Sequence, residues 1–139
     1  MLFAILLLAG VAITGCMQSP GESGSLSPGN SQGGLVPGPT VTLPPEQTVE
    51  IQINEKDPIY ATIPVFFAGG KGQVAVKDIV VRVTRADGKV IEKHLEPLKG
   101  AELKFEGTKE TDRIEAWVTL NTGSVYKVID QLVPYRTRG

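Results

Sequence analysis

Histidine and cysteine are almost absent from this chain, with one of each in 139 residues. A zinc site takes three or four such ligands, and no HExxH or CxxC spacing occurs. A lone cysteine, Cys16, also excludes an intramolecular disulfide, so a small domain here must be held by its apolar core. Charge of one sign is missing too: 14 basic and 15 acidic side chains leave a net charge of -1. Without a clustered basic face there is no electrostatic case for nucleic acid, and without a polybasic run none for an anionic membrane surface. No apolar run reaches the roughly 20 residues of a membrane-spanning helix. Nothing in the composition implies a cofactor or a metal.

What is present begins with an uncharged run of apolar and small residues, Leu2 to Ala12. Its length suits the hydrophobic region of a secretory signal that ends in small residues at a cleavage point. Ile13-Thr14-Gly15-Cys16 follows directly. This tetrapeptide resembles the lipobox of bacterial and archaeal surface lipoproteins, the archaeal ones including a methanogen type. The resemblance covers these four residues and the run before them, and departs from the pattern in that Met1 to Ala4 carry no Lys or Arg. It implies that residues 1–16 are a signal peptide and lipobox, and that Cys16 is lipidated and becomes the mature N-terminus. The protein would then be extracytoplasmic and anchored to membrane lipid. A single acyl chain holds only marginally, so two or more would be needed. The other arrangement is an uncleaved anchor helix with an incidental cysteine, which leaves the rest of the chain on the same side.

Between residues 17 and 47 the composition shifts, with Gly, Pro and Ser supplying 17 of 31 positions. Such a segment buries too little apolar area to offset the entropy of ordering it, and it is expected to be a disordered tether. Pro37, Pro39, Pro44 and Pro45 stiffen its last third.

Residues 48–139 read as β structure throughout. Val49, Ile51 and Ile53 alternate with polar residues, and Ile59, Ala61, Ile63, Val65 and Phe67 share one parity. Pro64 cannot donate to a ladder, so it predicts an edge or a bulge in that strand. In Val74 to Arg85 the apolar parity switches near Lys77-Asp78, which predicts a bulge. Asp87-Gly88 predicts a type I′ hairpin turn before a strand over Val90 to Leu95. A short strand over Ala101 to Phe105 and a hairpin of Arg113–Leu120 with Val125–Tyr135 complete the set. About seven short strands at this spacing indicate an all-β, antiparallel sandwich that resembles immunoglobulin-like and fibronectin-like domains in strand count, with a small barrel as the alternative.

No constellation points to catalysis. His94 stands among charges in Glu92-Lys93-His94, and no serine has a GxSxG context. Asp57, Asp87, Asp112 and Asp130 are scattered and form no calcium loop. Paired carboxylates can still come from distant strands, so a small hydrolase of envelope polymers stays as a minor alternative. Gly69-Gly70-Lys71-Gly72 lacks the lysine-serine ending and the helix of a phosphate loop. It reads as a strand connection, or as a mobile recognition loop at one end of the sandwich. In the last hairpin, a turn at Thr122-Gly123 pairs Trp117 with Val128 and Thr119 with Tyr126. Trp117, Tyr126 and Val128 would then cluster on the face away from the core, a candidate partner surface given the weight of Trp and Tyr in binding hot spots. A shifted register, or strands buried on both faces, puts Trp117 in the core instead. The layout as a whole indicates a non-enzymatic binding or envelope-structural module with a protein or envelope-polymer partner. The alternative is an accessory subunit of a membrane or surface-filament complex, joined through an edge strand.

Overall fold

The computed structural model describes residues 34–139, so the signal, the lipobox and residues 17–33 of the expected tether lie outside the described residues. Seven strands form two antiparallel sheets. They are β1 (Glu50–Ile53), β2 (Thr62–Gly69), β3 (Val76–Thr84), β4 (Val90–His94), β5 (Glu102–Glu106), β6 (Asp112–Leu120) and β7 (Val125–Val133). One sheet has the order β1-β2-β5 and the other β4-β3-β6-β7, so the chain crosses between sheets after β2, β4 and β5. The protein is the sandwich its strand spacing implies. Among the described residues no helix is long and apolar enough to cross a membrane.

The core lies between the sheets and follows the period of two. Ile63, Val65 and Phe67 of β2 face Ile79, Val81 and Val83 of β3 and Ile114 and Val118 of β6, all fully buried. Each such side chain contributes about 1.5–3 kcal/mol on burial, which is how the domain holds without a disulfide. The parity switch in β3 is a bulge at Lys77: Val76 pairs with Leu120 and Asp78 with Thr119.

Pro64 sits in the middle strand of its sheet, paired with Lys104 of β5. The sheet tolerates it because β1 ends at Ile53. Asn54 N donates to Pro64 O (3.0 Å), and the missing donor of Pro64 faces the point where β1 stops. The strand also begins three residues later than the apolar parity suggests. Asp57 takes over at residues 57–61: its Oδ1 accepts from Ile59 N (2.8 Å) and Tyr60 N (2.7 Å), and its carbonyl accepts from Ala61 N (2.9 Å). These bonds close a turn in place of the expected strand start. Ala61 is forced to φ +56, a left-handed conformation that costs a residue with a Cβ about 1 kcal/mol.

The β3–β4 hairpin is not type I′. Only Gly88 has positive φ (+87), with Gly88 N bonded to Arg85 O and Arg85 N to Lys89 O. This is a type I turn followed by a left-handed glycine, and Gly123 closes the β6–β7 hairpin in the same way.

The domain starts earlier than residue 48. Val41 N donates to Lys127 O (2.8 Å), and Leu43 is buried in the core. Residues 34–47, the described part of the expected tether, are therefore a strap packed on the sandwich.

Candidate functional site

The sequence-derived partner surface is divided by the fold. A bulge between Ala116 and Trp117 pairs Trp117 with Lys127 and Val118 with Tyr126, so the expected Trp117–Val128 pairing does not form. Tyr126 and Val128 pack against the core, whereas Trp117 lies on the outer face of the β4-β3-β6-β7 sheet. It is only 5% exposed there, because Arg82 covers its ring at 4.9 Å and Lys127 at 5.6 Å. The strand is buried on both faces, and Trp117 offers no open surface.

Around Trp117 the outer face carries a buried ion network. Arg113 donates to Asp130 from Nε (2.8 Å) and Nη2 (2.7 Å), in the bidentate geometry that suits a guanidinium and a carboxylate. Lys127 pairs with Asp130 and, at 2.8 Å, with Glu115, which also faces Arg113 Nη2 at 3.1 Å. Burial pushes the Asp130 carboxyl up, but the bonds from Arg113, Lys127 and Gly38 N outweigh it and hold it at about 2. The strap is fastened to this network: Gly38 N donates to Asp130 Oδ2 (2.8 Å) and Arg113 Nη1 to Gly34 O (2.9 Å). These contacts explain why a segment of tether-like composition is ordered.

The Gly69–Gly72 loop is likewise structural. A Cβ on Gly72 would lie 2.1 Å from Gln47 O, and one on Gly70 2.4 Å from Thr48 O. Gly72 N donates to Thr48 O (2.9 Å), so the glycines let the strap's end press against the loop, which is thereby clamped. Lys71 belongs to this turn. His94 is exposed and bonded through Nδ1 to Asp78 (2.9 Å), which raises its pKa above 6.5. The four aspartates have separate structural jobs. Asp57 caps its turn, and Asp87 Oδ1 accepts from Lys89 N in the hairpin. Asp112 binds Lys56 in a fully buried pair (2.7 Å), while Asp130 anchors the ion network. Asp112 Oδ1 also accepts from Thr108 Oγ1 and Ala86 N, and its Oδ2 from Thr108 N. Among the described residues no three His, Cys, Asp or Glu side chains are placed to hold a metal ion.

The open feature lies on the other sheet. A cleft of about 900 Å³ runs along the outer face of β2 and β5, between the 54–60 loop and the C-terminal segment from Gln131. Phe66 and Pro64 point outward from β2 into it, and Glu102 and Lys104 do so from β5. Tyr60 stands at its rim, 77% exposed, with Ile59 beside it at 67%. The C-terminal wall is fixed by Tyr135 Oη donating to Pro58 O (2.6 Å). Sequence reading missed this site because Ile59 and Tyr60 were placed in a strand. The available signal was Asp57-Pro58, a turn-forming pair at the head of an apolar run.

No family model matches the chain, and no curated protein matches it significantly. Among solved structures it is similar to a polysaccharide deacetylase from Bacillus cereus, at TM-score 0.48 and 12% identity, over 63% of this chain and 30% of that one. The chain thus spans less than a third of that protein's length, and a likeness at this level bears on neither fold nor activity.

Proposed function

We propose that the protein is a non-enzymatic binding module, held outside the cytoplasm by lipid on Cys16, and that the cleft beside Tyr60 is its binding site. The exposed Ile59-Tyr60 tip carries this reading. A turn capped by Asp57 and closed by a left-handed Ala61 spends backbone strain to keep two large apolar side chains in solvent beside a cleft. Strain and exposed aromatic surface together are features of recognition sites. The lipobox resemblance at Ile13–Cys16 supports the anchor.

The accessory-subunit alternative has less support, because two of the four edge strands, β4 and β5, carry Glu92, Lys93, Glu102, Lys104 and Glu106. Charges at such positions discourage strand addition. Two measurements test the proposal. Cys16→Ser should move the protein from the membrane fraction to the soluble one, and continued tight membrane association would refute the anchor. Tyr60→Ala should abolish retention of the soluble form on the organism's isolated envelope material, and unchanged retention would refute the cleft.

A further inference from the structure

The charges that frame the cleft narrow the chemistry of what it holds, given the reading above that the cleft binds. Each of its accessible cations faces a carboxylate. Lys104 Nζ lies 3.5 Å from Glu102 Oε1, Arg136 Nη1 lies 3.4 Å from Glu55 Oε1, and Arg138 is close enough to Asp57 to act on it electrostatically. The remaining lysine in the lining, Lys56, is buried and neutralised by Asp112. The cleft therefore has no net field with which to draw in a polyanion or a polycation.

Its surface instead alternates planar apolar groups with hydrogen-bonding ones. Tyr60 and the outward Phe66 and Pro64 present flat hydrocarbon faces, and the ion pairs between them supply donors and acceptors side by side. Exposed pairs of this kind are worth about 1 kcal/mol or less, so they can turn to a ligand's hydroxyl groups at little cost. An extended peptide adding to the sheet would need unpaired backbone groups. The floor is a sheet face, however, whose β2 backbone is already bonded to β1 and β5. A pyranose ring fits the remaining description, with an apolar C–H face and an edge of uncharged hydroxyls that both donate and accept.

We propose that the cleft binds an uncharged oligosaccharide chain, with Tyr60 stacked on one sugar ring and the Glu102–Lys104 and Glu55–Arg136 pairs sharing its hydroxyls. The test uses the full chain in detergent micelles on an array of neutral and acidic oligosaccharides and of short peptides, each bound ligand then being titrated by calorimetry. A neutral oligosaccharide is expected to bind, and the affinity should change less than about twofold between about 50 and 500 mM salt, as befits a contact without net charge. Tyr60→Ala should weaken it about tenfold or more, a hot-spot loss, while leaving the denaturation midpoint in place because the side chain is exposed. Phe66→Ala is the second variant and should weaken binding in the same direction.

Binding confined to acidic sugars, or falling steeply with salt, would overturn the uncharged class. So would an array without a neutral ligand. If envelope retention then still depended on Tyr60, the cleft reading itself would survive. A neutral sugar that bound equally well to the Tyr60→Ala and Phe66→Ala proteins would overturn the cleft as its site.

Discussion

Asp130 offers the sharpest test of how this small domain is held. Its carboxylate accepts from Nε and Nη2 of Arg113, from Lys127 and from the strap at Gly38, and its side chain is fully buried. Its pKa falls from 3.8 to about 2. A shift of that size corresponds to about 2 kcal/mol by linkage at 1.36 kcal/mol per unit. Because the folded value is depressed, the stabilisation is fully present above the unfolded pKa near 4 and is lost as pH falls towards 2. Asp130→Asn removes the charge and leaves Arg113 and Lys127 sharing only Glu115. We expect it to destabilise the domain by about 2–4 kcal/mol at pH 7, from the linkage figure up to the middle of the about 3–5 kcal/mol that losing one partner of a buried pair costs. Urea denaturation of the wild-type and Asp130→Asn proteins at pH 7, 5, 4, 3 and 2 measures the difference. The gap should hold down to about pH 4, shrink steeply between pH 4 and 2, and be mostly closed at pH 2, where about half of the wild-type Asp130 carboxyls are protonated in the folded state. Comparing two proteins cancels the acid sensitivity contributed by Asp112. An undiminished gap at pH 2, or a neutral effect at pH 7, would refute the electrostatic account of the strap.

Three further outcomes follow from the geometry. Gly72→Ala places a Cβ 2.1 Å from Gln47 O, backbone against backbone, and should cost about 3 kcal/mol or more by thermal or chemical denaturation, whereas the exposed Val74 beside it tolerates Ala within about 0.5 kcal/mol. Lys56→Met leaves the buried Asp112 carboxylate without its ammonium and should destabilise by about 3–5 kcal/mol, while replacing both residues with apolar ones recovers much of the loss. His94 should titrate above 6.5 by NMR, and Asp78→Asn should bring it back towards that value, since the Asp78 bond is the main cause of the rise.

Much of the sandwich was legible because a sheet packed on one side writes its period into the sequence. Ile63-Val65-Phe67 and Ile79-Val81-Val83 announced the core, and the parity switch at Lys77 announced the bulge. The misreadings share a physical origin, in that they concern what covers a residue rather than its own pattern. Trp117 had the parity of a solvent-facing position, and it is Arg82 and Lys127 on neighbouring strands that cover its ring and make burial on both faces, the alternative reading, the one that holds. Pro64 looked like an edge residue because nothing in its own strand reveals where β1 stops. Residues 34–47 had the composition of a coil, and the order they acquire comes from Arg113 and Asp130. The cleft was hidden for a related reason. Apolar parity extended the second strand through Ile59, while a single aspartate, Asp57, had already turned the chain.

The fastening of the strap also sets how the domain bears load. Among the described residues, a pull on the N-terminal end at Gly34 is met first at Gly34 and Gly38, on the outer face of the four-stranded sheet. There it is resisted by a guanidinium, an ammonium and two carboxylates sheared together, before Val41 and the core are loaded. Gly34 and Gly38 thus lie on the sheet opposite the one that forms the cleft floor. A partner seated against Tyr60 therefore meets a face that the strap leaves uncovered.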